Sequence, residues 1–126
     1  MDKKKILIVD DDLSTRQALN VRLRANGYDT AFAPDAIAAV AEARRVNPDL
    51  VLLDLGLPGG DGFRVIERLR AIACFGSLPI IVLSAREPAL NEERALAAGA
   101  EAFLQKPADN DVLLGVIARA LAGLEA

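Results

Sequence analysis

The sequence predicts an α/β domain, a three-layer (βα)5 sandwich in which helices cover both faces of a five-stranded parallel sheet. Three short runs, Ile6–Val9, Leu50–Leu53 and Ile80–Leu83, are apolar throughout, as is typical of strands buried on both faces. Segments with helical periodicity separate the strand-like segments along the chain. Such strand–helix alternation requires right-handed crossovers, which produce a parallel sheet.

The first strand and the first helix follow from the opening of the chain. Ile6–Val9 is the first strand. Ser14 and Gln17 fit a capping box at the start of the first helix, in which the two side chains satisfy free backbone N–H groups. Gly27 can close that helix in the left-handed conformation.

The next three elements are marked by polarity and by proline. Asp29–Ala33 is short and more polar than the apolar runs, which predicts an edge strand. Pro34 suits the first turn of the alanine-rich helix that follows, and Asn47-Pro48 should end it. Leu50–Leu53 is the third strand, and the Gly- and Pro-rich stretch Leu55–Gly62 predicts a loop.

The second half of the chain continues the alternation. The third helix is predicted by an apolar stripe of Phe63, Ile66, Leu69 and Ala73. After the strand Ile80–Leu83, Pro88–Ala98 predicts a helix with a weak apolar face, closed by Gly99, and Ala102–Leu104 predicts a short fifth strand. The cleanest stripe marks the last helix and consists of Leu113, Val116, Ile117, Ala120, Leu121 and Leu124.

Composition limits the class of protein. A chain of 126 residues, 52% of them hydrophobic, predicts one domain over residues 1–126. The absence of histidine excludes a histidine nucleophile and a histidine-ligated metal. The single cysteine, Cys74, is expected to be a buried or half-buried hydrophobe and fits a reducing cytoplasm. Net charge −3, 4% aromatic residues and the absence of a long apolar segment predict neither direct nucleic-acid binding nor membrane insertion.

Carboxylates, a hydroxyl and an ammonium follow the predicted strands directly; these residues are Asp10, Asp11, Asp12, Asp54, Ser84 and Lys106. The carboxyl ends of parallel strands meet at one edge of a sheet, where ligands bind. Clustered carboxylates suit Mg²⁺, which prefers oxygen ligands and would compensate their charges. An aspartate beside Mg²⁺ can attack a phosphoryl group and form an aspartyl-phosphate, whose transition state a lysine would help to neutralise.

Four motifs occur in order, each after a predicted strand: an acidic pair in IVDDD, an acceptor aspartate in VLLDLGLPGGDG, a hydroxyl–alanine pair in VLSA and Lys-Pro in AGAEAFLQKP. With these motifs the chain resembles a response-regulator receiver domain of two-component or phosphorelay signalling, specifically a single CheY-like receiver. The resemblance runs from Lys4 to Leu124. It implies a flavodoxin-like fold with strand order 2-1-3-4-5.

The resemblance also implies roles for individual residues. Asp54 matches the phosphoacceptor. The implied Mg²⁺ ligands are Asp10, Asp11, Asp54 and the backbone carbonyl of Gly56, with Asp11 the more direct ligand of the acidic pair. The groups implied for phosphoryl binding and switching are Ser84, Ala85, Lys106 and Phe103. Phe103 stands where other members carry tyrosine, so no ring hydroxyl is present there.

The implied function is that of a signalling phosphoacceptor and not of an enzyme with turnover. The phosphoryl group would come from a partner histidine kinase or histidine phosphotransfer protein. Phosphorylation would switch the surface of the fourth helix, fifth strand and fifth helix toward a downstream protein or a missing output domain. Gly56 has no side chain to position a water, and Arg86 is long and cationic, so we expect any self-dephosphorylation to be slow.

Two other functions remain open on the sequence alone. Asp10–Ser14 also fits D-x-D-x-[ST], the nucleophile motif of haloacid-dehalogenase-type phosphatases, with Asp10 as nucleophile and Asp12 as general acid. A pseudo-receiver that binds partners without taking phosphate is the second. Structural roles are also expected for two aspartates: Asp12 as a helix-start residue beside the Ser14 cap, and Asp61 as a turn or cap residue.

Overall fold

The chain folds around one parallel sheet. The computed structural model describes residues 3–57 and 62–123. The strands found there are β1 Lys5–Val9, β2 Asp29–Ala33, β3 Leu50–Leu53, β4 Ile80–Ser84 and β5 Ala102–Gln105. They are hydrogen-bonded in the order β2-β1-β3-β4-β5, and each pairing is parallel. The predicted topology is therefore confirmed, with the three apolar runs at the centre and the more polar β2 at an edge.

Helices connect the strands throughout this part of the chain. They are α1 Leu13–Ala25, α2 Ala36–Val46, α3 Gly62–Ala71, α4 Pro88–Ala98 and α5 Asn110–Gly123, with a short 3-10 turn at Ala73–Phe75. Left-handed residues follow three of the helices, because the chain must reverse there toward the next strand. These residues are Gly27 (φ 90°), Asn47 (φ 51°) and Gly99 (φ 119°).

Apolar clusters cover the two faces of the sheet. On one face, Leu7 and Val9 pack with residues of α2, α3 and α4. On the other face, Ile6 and Ile8 pack with residues of α1 and α5. Successive side chains of a strand point to opposite faces, so a strand buried on both sides needs an unbroken apolar run. Each fully buried Leu or Ile contributes about 1.5–3 kcal/mol.

The fourth helix is the most weakly packed of the helices. Within Pro88–Ala98, Ala95 is the only buried residue, which confirms the weak apolar face that its sequence predicts. Leu90 is 80% exposed and Leu96 is 44% exposed. Because little apolar area is buried under this helix, it is the element that a local change can displace at the lowest cost.

The predicted starts of two helices were wrong. Asp12, and not Ser14, is the N-cap of α1, since its side chain accepts a hydrogen bond from the Thr15 N–H. The expectation that Asp12 is a helix-start residue is confirmed. Pro34 precedes α2 instead of opening it, and Asp35 caps that helix by accepting from the N–H of the residue three positions on.

The chain between α3 and β4 also differs from the prediction. Ala73 lies in the 3-10 turn beyond the end of α3, so it does not extend the apolar stripe of that helix. Cys74 is exposed and not buried, because the turn directs its neighbour Phe75 into the core and leaves Cys74 outside. The predictions for Asp61 and Leu124 lie outside the described residues.

Candidate functional site

Three carboxylates meet where β1 and β3 end. Val9 and Leu53 are paired across these neighbouring strands, so the aspartates that follow them leave the sheet side by side. One carboxylate oxygen each from Asp10, Asp11 and Asp54 lies within 4.8 Å of the other two. The structure therefore brings together the three carboxylates that the sequence predicts at this edge.

Lys106 supplies the positive charge of the site. It follows β5 and is anchored by its backbone N–H, which donates to the Ser84 carbonyl oxygen at 2.8 Å. Its Nζ donates to Asp10 Oδ2 at 2.6 Å and lies 3.9 Å from Asp54 Oδ2. One ammonium thus bridges two of the three carboxylates.

Asp10 is almost fully enclosed, with 3% of its surface exposed. Its other oxygen, Oδ1, accepts the backbone N–H of Asp12 at 2.9 Å. A buried carboxylate is tolerated when it is both paired and hydrogen-bonded. Asp10 has both kinds of partner, so its side chain is held in place by Lys106 and by the Asp12 N–H.

Asp54 is more open than Asp10 and carries fewer contacts. Its Oδ1 accepts the backbone N–H of Gly56 at 3.3 Å. Burial raises the pKa of Asp54 above its ordinary value, and the negative charges of Asp10 and Asp11 raise it further. The positive charge of Lys106 and the hydrogen bond from the Gly56 N–H lower the pKa and partly oppose this rise. A further cation at the three carboxylates would lower this pKa and favour the ionised, nucleophilic form.

Ser84 is fully buried at the end of β4, opposite Gln105 of β5. Its Oγ accepts the backbone N–H of Arg86 at 3.1 Å. The hydroxyl proton is still available for donation, since a serine can accept and donate at once. The next residue, Ala85, is exposed and has a small side chain.

Phe103 lies on β5 and is 8% exposed. It belongs to the cluster on the α2, α3 and α4 side of the sheet, together with Ala95 of α4. The structure therefore shows Phe103 as part of the core next to the weakly packed helix.

Asp12 is not part of the carboxylate cluster. Its Oδ2 accepts both the N–H of Thr15 at 2.9 Å and the Thr15 hydroxyl at 2.5 Å. The Thr15 side-chain hydrogen bond, followed by the backbone one, lowers the pKa of Asp12. Asp12 is therefore held as an ionised cap at the start of α1.

Gly62 is a residue of the site that sequence reasoning missed. It opens α3, and its N–H donates to the Leu55 carbonyl oxygen at 3.0 Å. A Cβ on Gly62 would lie 2.6 Å from Leu55 Cα and 2.9 Å from the Asp54 carbonyl oxygen. Only glycine allows this contact, which fixes the backbone directly after the central carboxylate. The sequence signal was a glycine at the end of a glycine-rich loop, and it carried no information about the approaching backbone.

The donor set fits a hard divalent cation. Mg²⁺ is bound by one or a few carboxylates and keeps several waters, and three carboxylates from β1 and β3 converge here on one small region. Asp11 and the backbone at Gly56 are exposed, which leaves room for those waters. The chain has no histidine, and its one cysteine, Cys74, lies in the 3-10 turn that precedes β4, whereas the carboxylates follow the ends of β1 and β3. The oxygen donors therefore match a hard and not a softer metal.

The family is shown by comparison with known proteins. The family model of the response regulator receiver domain matches residues 6–118, and the chain belongs to that family. The DNA-binding response regulator MtrA of Mycobacterium tuberculosis is 40% identical over 105 residues, which make up 83% of this chain and 45% of that protein. The chain thus spans slightly under half the length of this relative.

Solved receiver structures confirm the CheY-like flavodoxin fold. The chemotaxis response regulator CheY4 of Vibrio cholerae has a TM-score of 0.88 at 29% identity, covering 94% of this chain and 99% of that one. The receiver domain of the sensor histidine kinase PA1611 from Pseudomonas aeruginosa, solved with magnesium coordinated in its active-site cleft, has a TM-score of 0.86 at 32% identity, covering 96% and 99%.

Two expectations are left without confirmation by these findings. The expectation of no direct nucleic-acid binding is not confirmed, because relatives that match this chain are named DNA-binding response regulators. Over residues 3–57 and 62–123, no helix combines the length and the apolar character needed to cross a membrane.

Proposed function

We propose that this chain, as one receiver unit over residues 1–126, accepts a phosphoryl group on Asp54 from a histidine kinase or a histidine phosphotransfer protein. One observation carries the proposal: Asp54 lies within 4.8 Å of the Asp10 and Asp11 oxygens and 3.9 Å from the Lys106 ammonium. Phosphoryl transfer is catalysed mainly by positioning and by cations that neutralise the transferring group. A central carboxylate with a lysine and a cation-binding pair beside it meets both needs.

In the transfer step, an Asp54 oxygen attacks the phosphorus of a phosphohistidine. The O–P bond forms as the P–N bond breaks, and the electron pair of the broken bond returns to the imidazole nitrogen of the donor. Lys106 stabilises the negative charge on the phosphoryl oxygens. The sequence contains no histidine, so the phosphohistidine lies outside it.

Mg²⁺ would be held by Asp10, Asp11, Asp54 and the backbone carbonyl of Gly56. When bound, the ion supplies positive charge to the phosphoryl oxygens and offsets the mutual repulsion of the carboxylates. Asp10 is already neutralised by Lys106 at 2.6 Å. The exposed Asp11 is therefore the carboxylate that gains most from the cation.

The switch would work through Ser84 and the strand next to it. Once Asp54 carries a phosphoryl group, the Ser84 hydroxyl would donate to it and Lys106 would pair with it. Moving Ser84 displaces the loop that contains Ala85 and leads into α4. Phe103, packed in the same cluster as Ala95 of α4, would then take a second position. A bias of a few kcal/mol between two such packings is sufficient.

The readout surface would consist of α4, β5 and α5. Its target is a separate protein or an output domain in the same protein, and the names of the relatives make a DNA-binding output domain one candidate. The phosphodonor would be a sensor kinase system, which places the receiver in the cytoplasm. Unchanged amide chemical shifts in residues 87–98 after binding of beryllofluoride, a phosphoryl mimic, would contradict this surface.

The receiver would act stoichiometrically, with small phosphodonors able to load it and with slow loss of the phosphoryl group. Among residues 3–57 and 62–123, a Cβ on Gly56 would meet only Asp54 Oδ2, at 3.9 Å, so we propose that a larger side chain can be introduced there to orient a hydrolytic water. The double variant Gly56→Asn/Arg86→Ala is expected to lose the phosphoryl group faster than the wild type. Equal phosphoryl lifetimes in the two proteins would contradict the proposed slow dephosphorylation.

The phosphatase alternative is disfavoured by Asp12. A general acid must hold a proton near neutral pH, whereas the two hydrogen bonds from Thr15 lower the pKa of Asp12. Asp10, which would be the nucleophile, is buried and bound at both oxygens by Lys106 and by the Asp12 N–H. Neither residue is in the state that the D-x-D mechanism needs.

Intact mass after incubation with acetyl phosphate tests the proposal. The wild type should gain one phosphoryl adduct with Mg²⁺ present and none after chelation. Asp54→Asn should gain none, and Asp12→Asn, which keeps a capping oxygen outside the cluster, should behave as the wild type. An adduct that persists in Asp54→Asn, or its absence from the wild type under every condition, would refute the proposal.

A further inference from the structure

Arg70 connects three segments of the chain at the far end of the weakly packed helix. It lies in the last turn of α3, and its Nε and Nη2 donate to the Gly99 carbonyl oxygen at 3.2 and 2.7 Å. Its Nη1 donates to the Phe75 carbonyl oxygen at 2.9 Å. The guanidinium thus joins the end of α3, the 3-10 turn before β4 and the turn that leads from α4 into β5. Such charge-assisted bonds are about twice as strong as neutral ones.

The contact at Gly99 is close as well as polar. Gly99 caps α4 with φ 119°, and a Cβ there would lie 2.9 Å from Arg70 Nε and 3.1 Å from Arg70 Cγ. The Arg70 side chain therefore packs directly on the Gly99 backbone. The Gly99 carbonyl comes at the end of α4, where carbonyl groups lack helical partners and favour cations.

The bonds that Glu87 makes at the other end of α4 are local ones. This exposed N-cap residue accepts the Ala89 N–H at 3.5 Å, the limit of a hydrogen bond, and its carbonyl oxygen accepts the Asn91 side-chain amide at 2.8 Å. Arg94, in the middle of the helix, stacks on the Phe63 ring of α3 at 3.8 Å. Ala95, the buried residue of α4, also lies in the half that leads to Gly99. The Arg94 and Gly99 contacts therefore join the middle and the C-terminal end of the helix to α3, whereas the bonds of Glu87 are made to residues of α4 itself.

We propose that Arg70 is a positioning residue that makes Gly99 the pivot of α4. A change at Ser84 enters α4 through its N-terminal end, and the Arg70 anchor converts it into a swing of that end about Gly99, not a shift of the whole helix. The same anchor keeps β5 in place while α4 moves, because Gly99 leads directly into β5. This inference rests on the proposed function, since it uses α4 as the element that responds to phosphorylation of Asp54.

The first test uses the wild-type protein and beryllofluoride with Mg²⁺, followed by amide chemical shifts. The Gly56 and Lys106 amides report binding at Asp54. The inference predicts shifts at residues 87–91 at least about threefold larger than those at residues 97–100. Shifts of equal size at both ends of α4, with a normal response at Gly56 and Lys106, overturn the pivot alone. The absence of any response at Gly56 and Lys106 refutes the proposed function and the pivot with it.

The second test compares Arg70→Gln with Arg68→Gln, a change of an exposed arginine in the same turn of α3. In Arg70→Gln, hydrogen exchange at the Gly99 and Ala100 amides should accelerate by about tenfold relative to amides of β1, as expected when charged donors to a carbonyl are lost. The gradient of beryllofluoride shifts along α4 should flatten, while the phosphorylation rate from acetyl phosphate stays within about twofold of the wild type.

A milder variant and a control variant complete the test of Arg70. Arg70→Lys retains one charged donor and should restore part of the gradient, and Arg68→Gln should leave it unchanged. A purely structural role for Arg70 would lower the melting temperature but preserve the ratio of shifts at the two ends of α4. A wild-type ratio in both Arg70→Gln and Arg70→Lys therefore overturns the inference. If Arg70→Gln does not fold, Arg70→Lys and the wild-type gradient decide the matter.

Discussion

Replacing Gly62 by alanine should disturb both stability and phosphorylation, because the new methyl group has no space. Its Cβ would lie 2.6 Å from Leu55 Cα and 2.9 Å from the Asp54 carbonyl oxygen, where unstrained heavy atoms stay about 3.5–4.0 Å apart. Either α3 or the backbone at Asp54 must move by about 1 Å. Overpacking of this kind costs about 1–3 kcal/mol, equivalent to roughly 4–12 °C in melting temperature for a domain of this size.

The same displacement should slow phosphorylation. A misplacement of about 1 Å at a reacting group can lower a rate by up to about 100-fold, and a shift shared between α3 and Asp54 should lower the rate by about tenfold. Unfolding in urea followed by circular dichroism gives the stability, because the chain has no tryptophan. Intact mass over time with acetyl phosphate and Mg²⁺ gives the rate.

Gly115 provides a matched control with the opposite sign. It lies inside α5, and a Cβ there would meet no atom of the described part of the chain within 4 Å. Gly115→Ala should therefore stabilise the protein by about 0.5–1 kcal/mol through the lower conformational entropy of the unfolded chain, with no change in phosphorylation rate. If Gly62→Ala matches the wild type in both stability and rate, the close approach at Asp54 is not a constraint and the reasoning is refuted.

Three further perturbations bear on the charged groups of the site. Lys106→Met leaves the buried Asp10 carboxylate without its ammonium and should lower the free energy of unfolding in urea by about 2–4 kcal/mol. This is less than for a fully buried pair because Lys106 is partly exposed. The double variant with Asp10→Asn should recover most of the loss, and no loss in the single variant would contradict the pairing. Asp12→Ala should lower the free energy of unfolding at neutral pH through the lost helix cap. Because the Thr15 hydrogen bonds lower the pKa of Asp12, this difference is complete above the ordinary pKa of an aspartate and shrinks as the pH falls through the lower folded-state pKa. A pH-independent difference would contradict the assigned bonds. Mg²⁺ at a hundred times its Kd should raise the free energy of unfolding of the wild type by about 2.7 kcal/mol. Asp11→Asn should be more stable than the wild type without Mg²⁺ but should be stabilised less by adding it. Equal stabilisation of the two proteins by Mg²⁺ would exclude Asp11 as a ligand.

The sheet was predictable because its signals are local and redundant. An unbroken apolar run such as Leu50–Leu53 predicts a buried strand directly in a chain of this length. The ends of helix α4 are marked by Pro88 and Gly99, whose own backbone conformations favour a helix start and a helix end. The cap of α1 was not predictable in the same way, because Asp12 and Ser14 are both good caps. The Asp12 N–H donates to Asp10 Oδ1 at 2.9 Å, and Asp10 is itself held by Lys106, 96 residues away. The long-range contact of Asp10 is the part of this arrangement that the local sequence does not specify.

The carboxylate cluster was predictable for a different reason. Asp10 and Lys106 are 96 residues apart, yet the ends of parallel strands share one edge, so fold class alone brings them near each other. No such rule applies to Gly62 or Arg70. Gly62 matters because backbone approaches it from Leu55, and Arg70 matters because a turn 29 residues away offers it a carbonyl. These contacts depend on how α3 packs, which the pattern of apolar residues does not specify.

The central claim is that Asp54 carries the phosphoryl group, and the most direct measurement is to map the modified residue. After loading with acetyl phosphate and Mg²⁺, borohydride reduction converts an aspartyl-phosphate into homoserine, which peptide mass spectrometry locates. Homoserine at position 54 and at no other aspartate is the predicted result. Homoserine at position 10 would instead indicate the D-x-D phosphatase chemistry, and its absence from every aspartate of a protein that binds Mg²⁺ would make the domain a binding module that takes no phosphate.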